Sequence, residues 1–184
     1  MDPRTDAYAP PLPVGTPVGT PAGTPAGQVT ALYQAYATGL VRLAMLMLAD
    51  QQAAEDVVQD AFLGLYRRWG TLTDQGKALT YVRSSVLNGS RTVLRKRSRR
   101  LPPSYVEPDA ESAEALALLG EEHREVLAAL RRLPARQREA VVLRHCLGLP
   151  EDEVAQAMKI SRGTVKSASS RGIASLARIL KEES

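Results

Sequence analysis

Five side chains between residues 81 and 95 could together contact a nucleic acid. They are an aromatic ring, a hydroxyl, a side-chain amide and two guanidinium groups: Tyr81, Ser84, Asn88, Arg91 and Arg95. At about 100° per residue in an α-helix, they fall within about 80° of one another. A ring can stack on a base, an amide can hydrogen-bond its edge, and cations can hold the flanking phosphates. Solvation of a charged helix face explains the arginines without a ligand, but not the ring and the amide beside them.

A second set of polar and cationic residues lies near the C-terminus. Its members share the side of a predicted helix opposite the apolar residues: Arg162, Thr164, Lys166, Ser167, Ser170 and Arg171. Such groups can enter a major groove and reach phosphates and base edges, helped by the positive end of the helix dipole. The preceding short helix, Glu151 to Met158, and the tight turn at residues 159–161 resemble a helix-turn-helix. A three-helix bundle that binds no ligand is the alternative.

A third feature is an apolar side chain framed by polar ones. Asp56, Gln59 and Asp60 lie opposite the apolar stripe of a predicted helix, and Leu63 lies among them. An exposed leucine with this frame is typical of a surface that docks another protein. Because scattered exposed leucines are also common on proteins without partners, an ordinary solvated face is the alternative interpretation.

No pattern typical of an enzyme occurs in the chain. The sequence has no Gly-rich phosphate loop, no Ser/His/Asp or Cys/His arrangement, and no carboxylate cluster at metal spacing. The single cysteine, Cys146, cannot form an internal disulfide, and neither His123 nor His145 has further ligands at metal spacing. We therefore expect no catalytic residues, no metal and no cofactor.

The elements that position these residues are predicted to be helices. Alanine and leucine abound while β-branched and aromatic content is low, which favours helices over a sheet. Apolar spacing predicts helices over 29–48, 51–69 and 77–97, with Asp50 as the N-cap of the second. Further helices are predicted over 121–133, 134–146 and 151–158, and a last one, capped by Ser161, runs almost to the C-terminus with Ile173 on its packed side.

Composition and charge divide the chain into four parts. Residues 1–27 repeat Gly-Thr-Pro three times, and such a tail is expected to be disordered. A helical bundle over 28–100 carries a net charge of +6. Residues 101–122 have six carboxylates and no cation, and an acidic flexible linker is expected over 101–120. The helix-turn-helix domain follows over 121–184. Two basic modules joined by an acidic segment predict an all-α protein that contacts a polyanion twice.

The sequence also carries expectations about location. Its longest uninterrupted apolar run, Leu43 to Ala49, is much shorter than the roughly 20 residues that cross a bilayer. No apolar segment near the N-terminus resembles a secretion signal. We therefore expect a cytoplasmic protein with no membrane partner.

Three motifs resemble those of a known family. The stretch from Asp50 to Phe62, Asp-Gln-Gln-Ala-Ala-Glu-Asp-Val-Val-Gln-Asp-Ala-Phe, resembles the region 2 signature of bacterial RNA polymerase sigma factors of the extracytoplasmic function (ECF) branch. Leu-Pro-Ala-Arg-Gln-Arg-Glu-Ala-Val at 133–141 and Ser-Arg-Gly-Thr-Val-Lys-Ser at 161–167 resemble region 4 of the same family. The resemblance covers nearly everything from residue 28 to residue 180.

The resemblance implies a role for each of the three faces. The docking set, Asp56, Gln59, Asp60 and Leu63, would bind the clamp coiled coil of core RNA polymerase. Asn88 would lie near a flipped base of the minus-ten promoter element, and the last helix would recognise the minus-35 element as duplex DNA. Tyr81 stands where many members have Trp, and residues 168–170 depart from the usual pattern, so the promoter sequence cannot be transferred.

The resemblance also implies function and partners. It implies promoter recognition and DNA melting at transcription initiation, and many members bind an anti-sigma factor. A stand-alone helix-turn-helix regulator is the alternative, and it predicts tight DNA binding without polymerase.

Overall fold

The structure, a computed structural model, describes residues 23–100 and 121–183, and these ranges contain helices and no strand. The first domain consists of α1 (Pro25–Leu48), α2 (Gln51–Arg68) and α3 (Ala78–Arg100), with 3-10 turns at Trp69–Thr71 and Gln75–Lys77. The second consists of α4 (Glu121–Arg132), α5 (Ala135–Val141), α6 (Glu151–Met158) and α7 (Arg162–Glu183). The prediction of an all-α protein with two helical domains is confirmed.

Local capping explains where the helices of the first domain begin. Thr24 accepts a hydrogen bond from the backbone N–H of Gly27 at 3.3 Å, so α1 starts at Pro25, inside the segment predicted to be a disordered tail. The Asp50 carboxylate accepts from Ala53 N–H at 2.8 Å and caps α2 as predicted. The rest of that tail, and the predicted linker over 101–120, lie outside the described residues.

The core of the first domain follows the periodicity of the sequence. The apolar stripe of α2 is buried along its length, and so is Trp69 directly after the helix: Ala54, Val58, Ala61, Phe62, Leu65 and Trp69. It packs against the buried side of α1, which includes Leu40, Leu43 and Met47, and against Val82 and Val86 of α3. Trp69 also donates its indole N–H to Gln28 at 2.8 Å, which connects the end of α2 to the start of α1. The buried stripes thus hold the opposite face of α2 toward solvent.

α1 is long and apolar enough to cross a bilayer by length and composition alone, since it has 24 residues and an 18-residue window of mean hydropathy 1.2. Core helices of soluble proteins reach the same length and hydropathy. Leu43 and Met47 are buried against the neighbouring helices, as in a core helix.

The second domain folds around α7. After α5 the chain makes one π-helical segment, Val142–Cys146, and then turns at Gly148, which has a φ of 64°. Lys159 adopts a left-handed φ of 56° after α6, and the Ser161 hydroxyl accepts from Thr164 N–H at 3.2 Å to start α7. Val165, Ala168 and Gly172 of α7 face the core. Ile173 does not, because the helix turns this residue away from α5 and leaves it 40% exposed.

The two domains contact each other directly. α6 lies against α3, and both α4 and the π-helical segment Val142–Cys146 contact α1. Arg138 of α5 donates to the carbonyls of Met47 and Leu133, at 3.1 and 3.3 Å, and so joins the two domains. Desolvation lowers the pKa of this guanidinium, and the nearby Glu139 carboxylate offsets part of the effect.

Candidate functional site

The predicted docking residues form one exposed face of α2. Asp56, Gln59, Asp60 and Leu63 follow one another at intervals of three, one and three residues, and all four are exposed. Gln52 donates its side-chain amide to Asp56 Oδ1 at 3.1 Å, which orients that carboxylate one turn away. The face therefore presents two carboxylates, an amide and an apolar side chain to solvent.

Beside this face lies an apolar groove that was not predicted from the sequence. Leu63 is 50% exposed, and its neighbours Tyr66 and Tyr33 are 51% and 42% exposed. Tyr33 of α1 packs edge-on against Phe62, with ring centroids 5.0 Å apart. The groove has a volume of about 410 Å³ and runs between α1 and α2. Tyr66 lies three residues after Leu63, so helical spacing alone could have added it to the docking set.

The predicted nucleic-acid face of α3 is only partly open. Asn88 and Arg95 are exposed. Tyr81 is half-buried, and its hydroxyl lies 3.4 Å from the position that a β-carbon on Gly64 of α2 would take. Asn88 accepts a hydrogen bond from Arg91 Nη1 at 2.9 Å, which brings the amide and one guanidinium together.

The expectation that Ser84 lies on an open face is wrong for this structure. Ser84 is 7% exposed, because α6 lies over it and its hydroxyl donates to the Ala157 carbonyl at 2.8 Å. Arg91 is also engaged by the second domain: Nε and Nη2 donate to the two carboxylate oxygens of Glu139 at 2.6 and 2.5 Å. These hydrogen bonds raise the pKa of Arg91. The helix-turn-helix domain thus covers the middle of the predicted face.

A second ion pair lies beside the first. Arg83 of α3 donates to Glu153 of α6 at 2.5 Å, and the Arg83 side chain is only 12% exposed. Neither residue was predicted to be functional. Partners 70 residues apart leave no periodic signal in a sequence, so nothing in the single chain could have paired them.

The face of α7 that is predicted to contact DNA, called the reading face below, is open to solvent. Arg162, Lys166, Ser170 and Arg171 are exposed, whereas Thr164 and Ser167 are half-buried. The half-buried pair is engaged locally, since the Thr164 hydroxyl lies 2.8 Å from that of Ser161 and Ser167 donates to the Thr164 carbonyl at 3.1 Å. The first turns of α7 therefore present cations and small hydroxyls on a fixed surface.

Within the described ranges, no group of three or more His, Cys, Asp and Glu side chains could hold a metal ion. Cys146 is the single cysteine of the sequence, so it has no partner for an internal disulfide. Desolvation raises the pKa of its thiol, which disfavours the nucleophilic thiolate. His145 Nε2 lies 2.9 Å from Ser169 Oγ, so the π-helical segment Val142–Cys146 contacts α7. The exposed faces of α2, α3 and α7 carry groups suited to binding.

Two families match the two domains in order. Sigma-70 region 2 matches residues 32–100, and Sigma-70 region 4 matches residues 123–176. An RNA polymerase sigma-E factor of Streptomyces coelicolor is 32% identical over 140 residues, which cover 74% of this chain and 77% of that protein. The ECF RNA polymerase sigma factor SigM of Mycobacterium tuberculosis is 32% identical over 149 residues, covering 81% of this chain and 75% of SigM.

Two solved structures share the fold. The sigma factor RpoE of Bartonella quintana, in complex with the anti-sigma factor NepR, matches with a TM-score of 0.65 and 22% identity, covering 83% of this chain and 96% of that one. CnrH in complex with the cytosolic domain of CnrY matches with a TM-score of 0.69 and 21% identity, covering 86% and 91%.

Regions 2 and 4 in this order define a sigma factor, a class of transcription initiation factors that are in general not catalytic. The chain belongs to the ECF branch of the sigma-70 family. It therefore recognises promoters and binds core RNA polymerase and promoter DNA, as predicted, and the stand-alone regulator is not favoured.

Proposed function

We propose that the exposed face of α2 is the surface through which this sigma factor binds core RNA polymerase. The observation that carries the proposal is Leu63, half-exposed between Asp56 and Asp60 and continuous with the groove at Tyr66. An apolar centre within a polar rim is the composition of a specific protein interface. The two carboxylates favour a basic partner surface.

The face of α3 is proposed to hold the melted strand of the minus-ten element. Asn88 is exposed and can hydrogen-bond the edge of an unstacked base, while Arg91 and Arg95 can neutralise the phosphates on either side. Extruding a base costs a few kcal/mol, and stacking and a base pocket must offset that cost. Tyr81 is half-buried, so only part of its ring is open to stack on a base. Ser84 joins the face only when α6 has moved away.

The N-terminal half of α7 is proposed to recognise the minus-35 element in its major groove. Arg162 and Lys166 would contact phosphates, and Ser170 and Arg171 would reach base edges or the opposite backbone. Phosphate contacts alone give weak, salt-dependent binding. Core polymerase would hold both domains near their elements, so that the second contact forms at a high effective concentration.

The proposal includes the setting in which the chain works. A subunit of this kind acts in the cytoplasm, with the polymerase, and contributes no catalytic group of its own. An anti-sigma factor is an expected partner, because the structurally similar RpoE is described in complex with the anti-sigma factor NepR. The open groove beside Leu63 belongs to the face proposed for polymerase, so an anti-sigma factor bound there would compete with polymerase.

Run-off transcription tests the proposal. Purified chain and core polymerase are incubated with fragments of the source genome, and transcript starts are mapped. Promoter-dependent transcripts that share minus-ten and minus-35 elements are expected, and they should disappear when the chain is left out. Tight, specific binding to duplex DNA in a gel shift without polymerase, together with no transcript from any fragment, would refute it.

A further inference from the structure

The apolar groove of the first domain is formed by one side of α1 and one side of α2. Its rims carry the exposed rings of Tyr33 and Tyr66, whereas Val29 and Phe62 among its lining residues are buried. None of the described residues that line it is charged. The lining residues extend from 26 to 33 on α1 and from 59 to 66 on α2, so at 1.5 Å per residue the groove is about 10 Å long.

The chain enters the first domain at one end of this groove. Ala26, the second residue of α1, is among the lining residues. Two hydrogen bonds fix this end of the helix: the Thr24 hydroxyl caps it at 3.3 Å, and Gln28 accepts from the Trp69 indole at 2.8 Å. Because Trp69 directly follows α2, the start of α1 is held beside the end of α2. Residues that precede Thr24 are therefore connected to the chain within reach of the groove.

The sequence that precedes α1 contains a segment whose chemistry matches an uncharged aromatic groove. Residues 9–14, called the Pro-rich segment below, are Ala-Pro-Pro-Leu-Pro-Val, and no charged residue occurs between positions 7 and 27. Polyproline II has three residues per turn and no internal hydrogen bonds, so in this conformation Pro10 and Pro13 would fall on one side. Aromatic-lined grooves bind Pro-rich peptides in this way. Gln59, an exposed lining residue, has an amide that can donate to a carbonyl of such a segment.

The connection between the Pro-rich segment and α1 is long enough for the segment to reach the groove. Thr24 follows Pro13 by 11 positions, and at most about 3.3–3.6 Å per residue these span about 36–40 Å, several times the length of the groove. Binding within one chain takes place at an effective concentration of the order of 1 mM. A segment with a Kd of about 0.1 mM would then occupy the groove about nine-tenths of the time.

We propose that the groove between α1 and α2 binds the Pro-rich segment of its own chain, and that the bound segment competes with core polymerase. The competition arises at Leu63, which lines the groove and also lies at the centre of the exposed face of α2. The bound segment lowers the apparent affinity of the free chain for polymerase, and polymerase displaces the segment. The competition rests on the proposed function, because it requires that the α2 face binds polymerase, whereas the binding of the segment does not.

The first test is photo-cross-linking on the full chain. The photoreactive amino acid p-benzoylphenylalanine replaces Val14 in one protein and Val18 in a matched control, since each valine has proline before it and glycine after it. After irradiation, monomeric and dimeric products are separated, and the cross-linked peptides are identified by mass spectrometry. We expect position 14 to cross-link within the monomer to peptides that contain residues 26–33 or 59–66.

A change in the groove shows whether this cross-link is specific. Thr30 lines the groove and is exposed, so Thr30→Glu places a charged and longer side chain in the groove while α1 should still fold. Thr38→Glu is the matched control, because it makes the same change at an exposed position of α1 outside the groove. A segment that binds tenfold more weakly would occupy the groove about half of the time, so the yield at position 14 should fall about twofold or more in Thr30→Glu only. The yield at position 18 should not depend on either change.

The second test measures the affinity of the full chain for immobilised core polymerase by equilibrium titration. The double variant Pro10→Ala, Pro13→Ala weakens the segment without touching either helix of the groove. Apparent affinity is proportional to the fraction of chains with a free groove, so this variant should bind polymerase about five- to tenfold more tightly. The matched control, Pro17→Ala with Pro21→Ala, removes two prolines outside the segment and should bind as the unchanged chain does.

The cross-linking result decides whether the segment binds in the groove. A groove cross-link from position 14 that decreases in Thr30→Glu and persists in Thr38→Glu, together with tighter polymerase binding by the proline variant, supports the inference. No groove cross-link, or equal yields in the two threonine variants, overturns it. Cross-links in the dimeric product alone also overturn it, because the groove would then hold the segment of a second copy.

The polymerase titration separates this inference from the proposed function. A specific groove cross-link with unchanged polymerase affinity in the proline variant overturns the competition, and Asp56→Arg then decides the proposed function. If Asp56→Arg abolishes polymerase binding, the α2 face is the polymerase surface and only the competition is wrong. If Asp56→Arg binds as tightly as the unchanged chain, the proposed function fails, while the binding of the segment in the groove stands.

Discussion

Gly172 permits the close contact between α7 and α5 that fixes the reading face of the second domain. A β-carbon at this position would lie 2.5 Å from Cγ2 of Val141 and 3.1 Å from the Gln137 carbonyl oxygen. Neither neighbour can withdraw cheaply, because Val141 is buried and branched and the other atom belongs to the backbone. Gly172→Ala should therefore push α7 away from α5.

The expected magnitude follows from two opposing effects. Overpacking a close-packed core by one methyl group costs typically about 1–3 kcal/mol. Replacing glycine by alanine inside a helix returns about 1 kcal/mol through helix propensity. The net loss in the free energy of unfolding of the second domain is then about 0–2 kcal/mol, and its midpoint of about 1 kcal/mol lowers the melting temperature of a domain this small by about 4–8 °C.

The assay is thermal and urea unfolding followed by circular dichroism. Gly163→Ala is the matched control, because it makes the same change near the start of the same helix, where a β-carbon meets nothing within 4 Å. We expect Gly163→Ala to be neutral or slightly stabilising. If Gly172→Ala unfolds at the same temperature as Gly163→Ala, the close approach of α7 to α5 does not exist and the position assigned to the reading face is wrong.

Three further predictions concern single residues. Asp56→Arg should abolish binding to core polymerase in a pull-down while leaving the helix content unchanged, and Asp152→Arg should not; retained affinity would contradict the docking face. Asn88→Ala should impair opening of the minus-ten element more than formation of the closed complex, so permanganate reactivity equal to that of the unchanged chain would exclude the base-pocket role. Asp50→Ala should lower the free energy of unfolding, measured by urea titration, by about 1–2 kcal/mol, because Asp50 caps α2 and pairs with Arg97. Asp74 is a more exposed capping residue, so Asp74→Ala should lower it less in the same titration.

Features that depend on residues a few positions apart were predictable from the sequence. The buried stripe of α2, and with it the exposed face that carries Leu63, follows from spacing of three and four residues. The caps at Asp50 and Ser161 are local too, since each side chain bonds a backbone N–H three residues ahead. All of these features depend on residues within one helix and its cap.

Features that depend on the other domain were not predictable. The periodicity places Ser84 and Arg91 correctly on the side of α3 away from its own bundle, but it cannot show that α6 and α5 cover that side. The partners of these residues lie 73 and 48 positions further along the chain. The prediction that Ile173 lies on the packed side was wrong for a related reason. An apolar residue at a helical spacing is buried only when another element reaches it, and here none covers Ile173 fully.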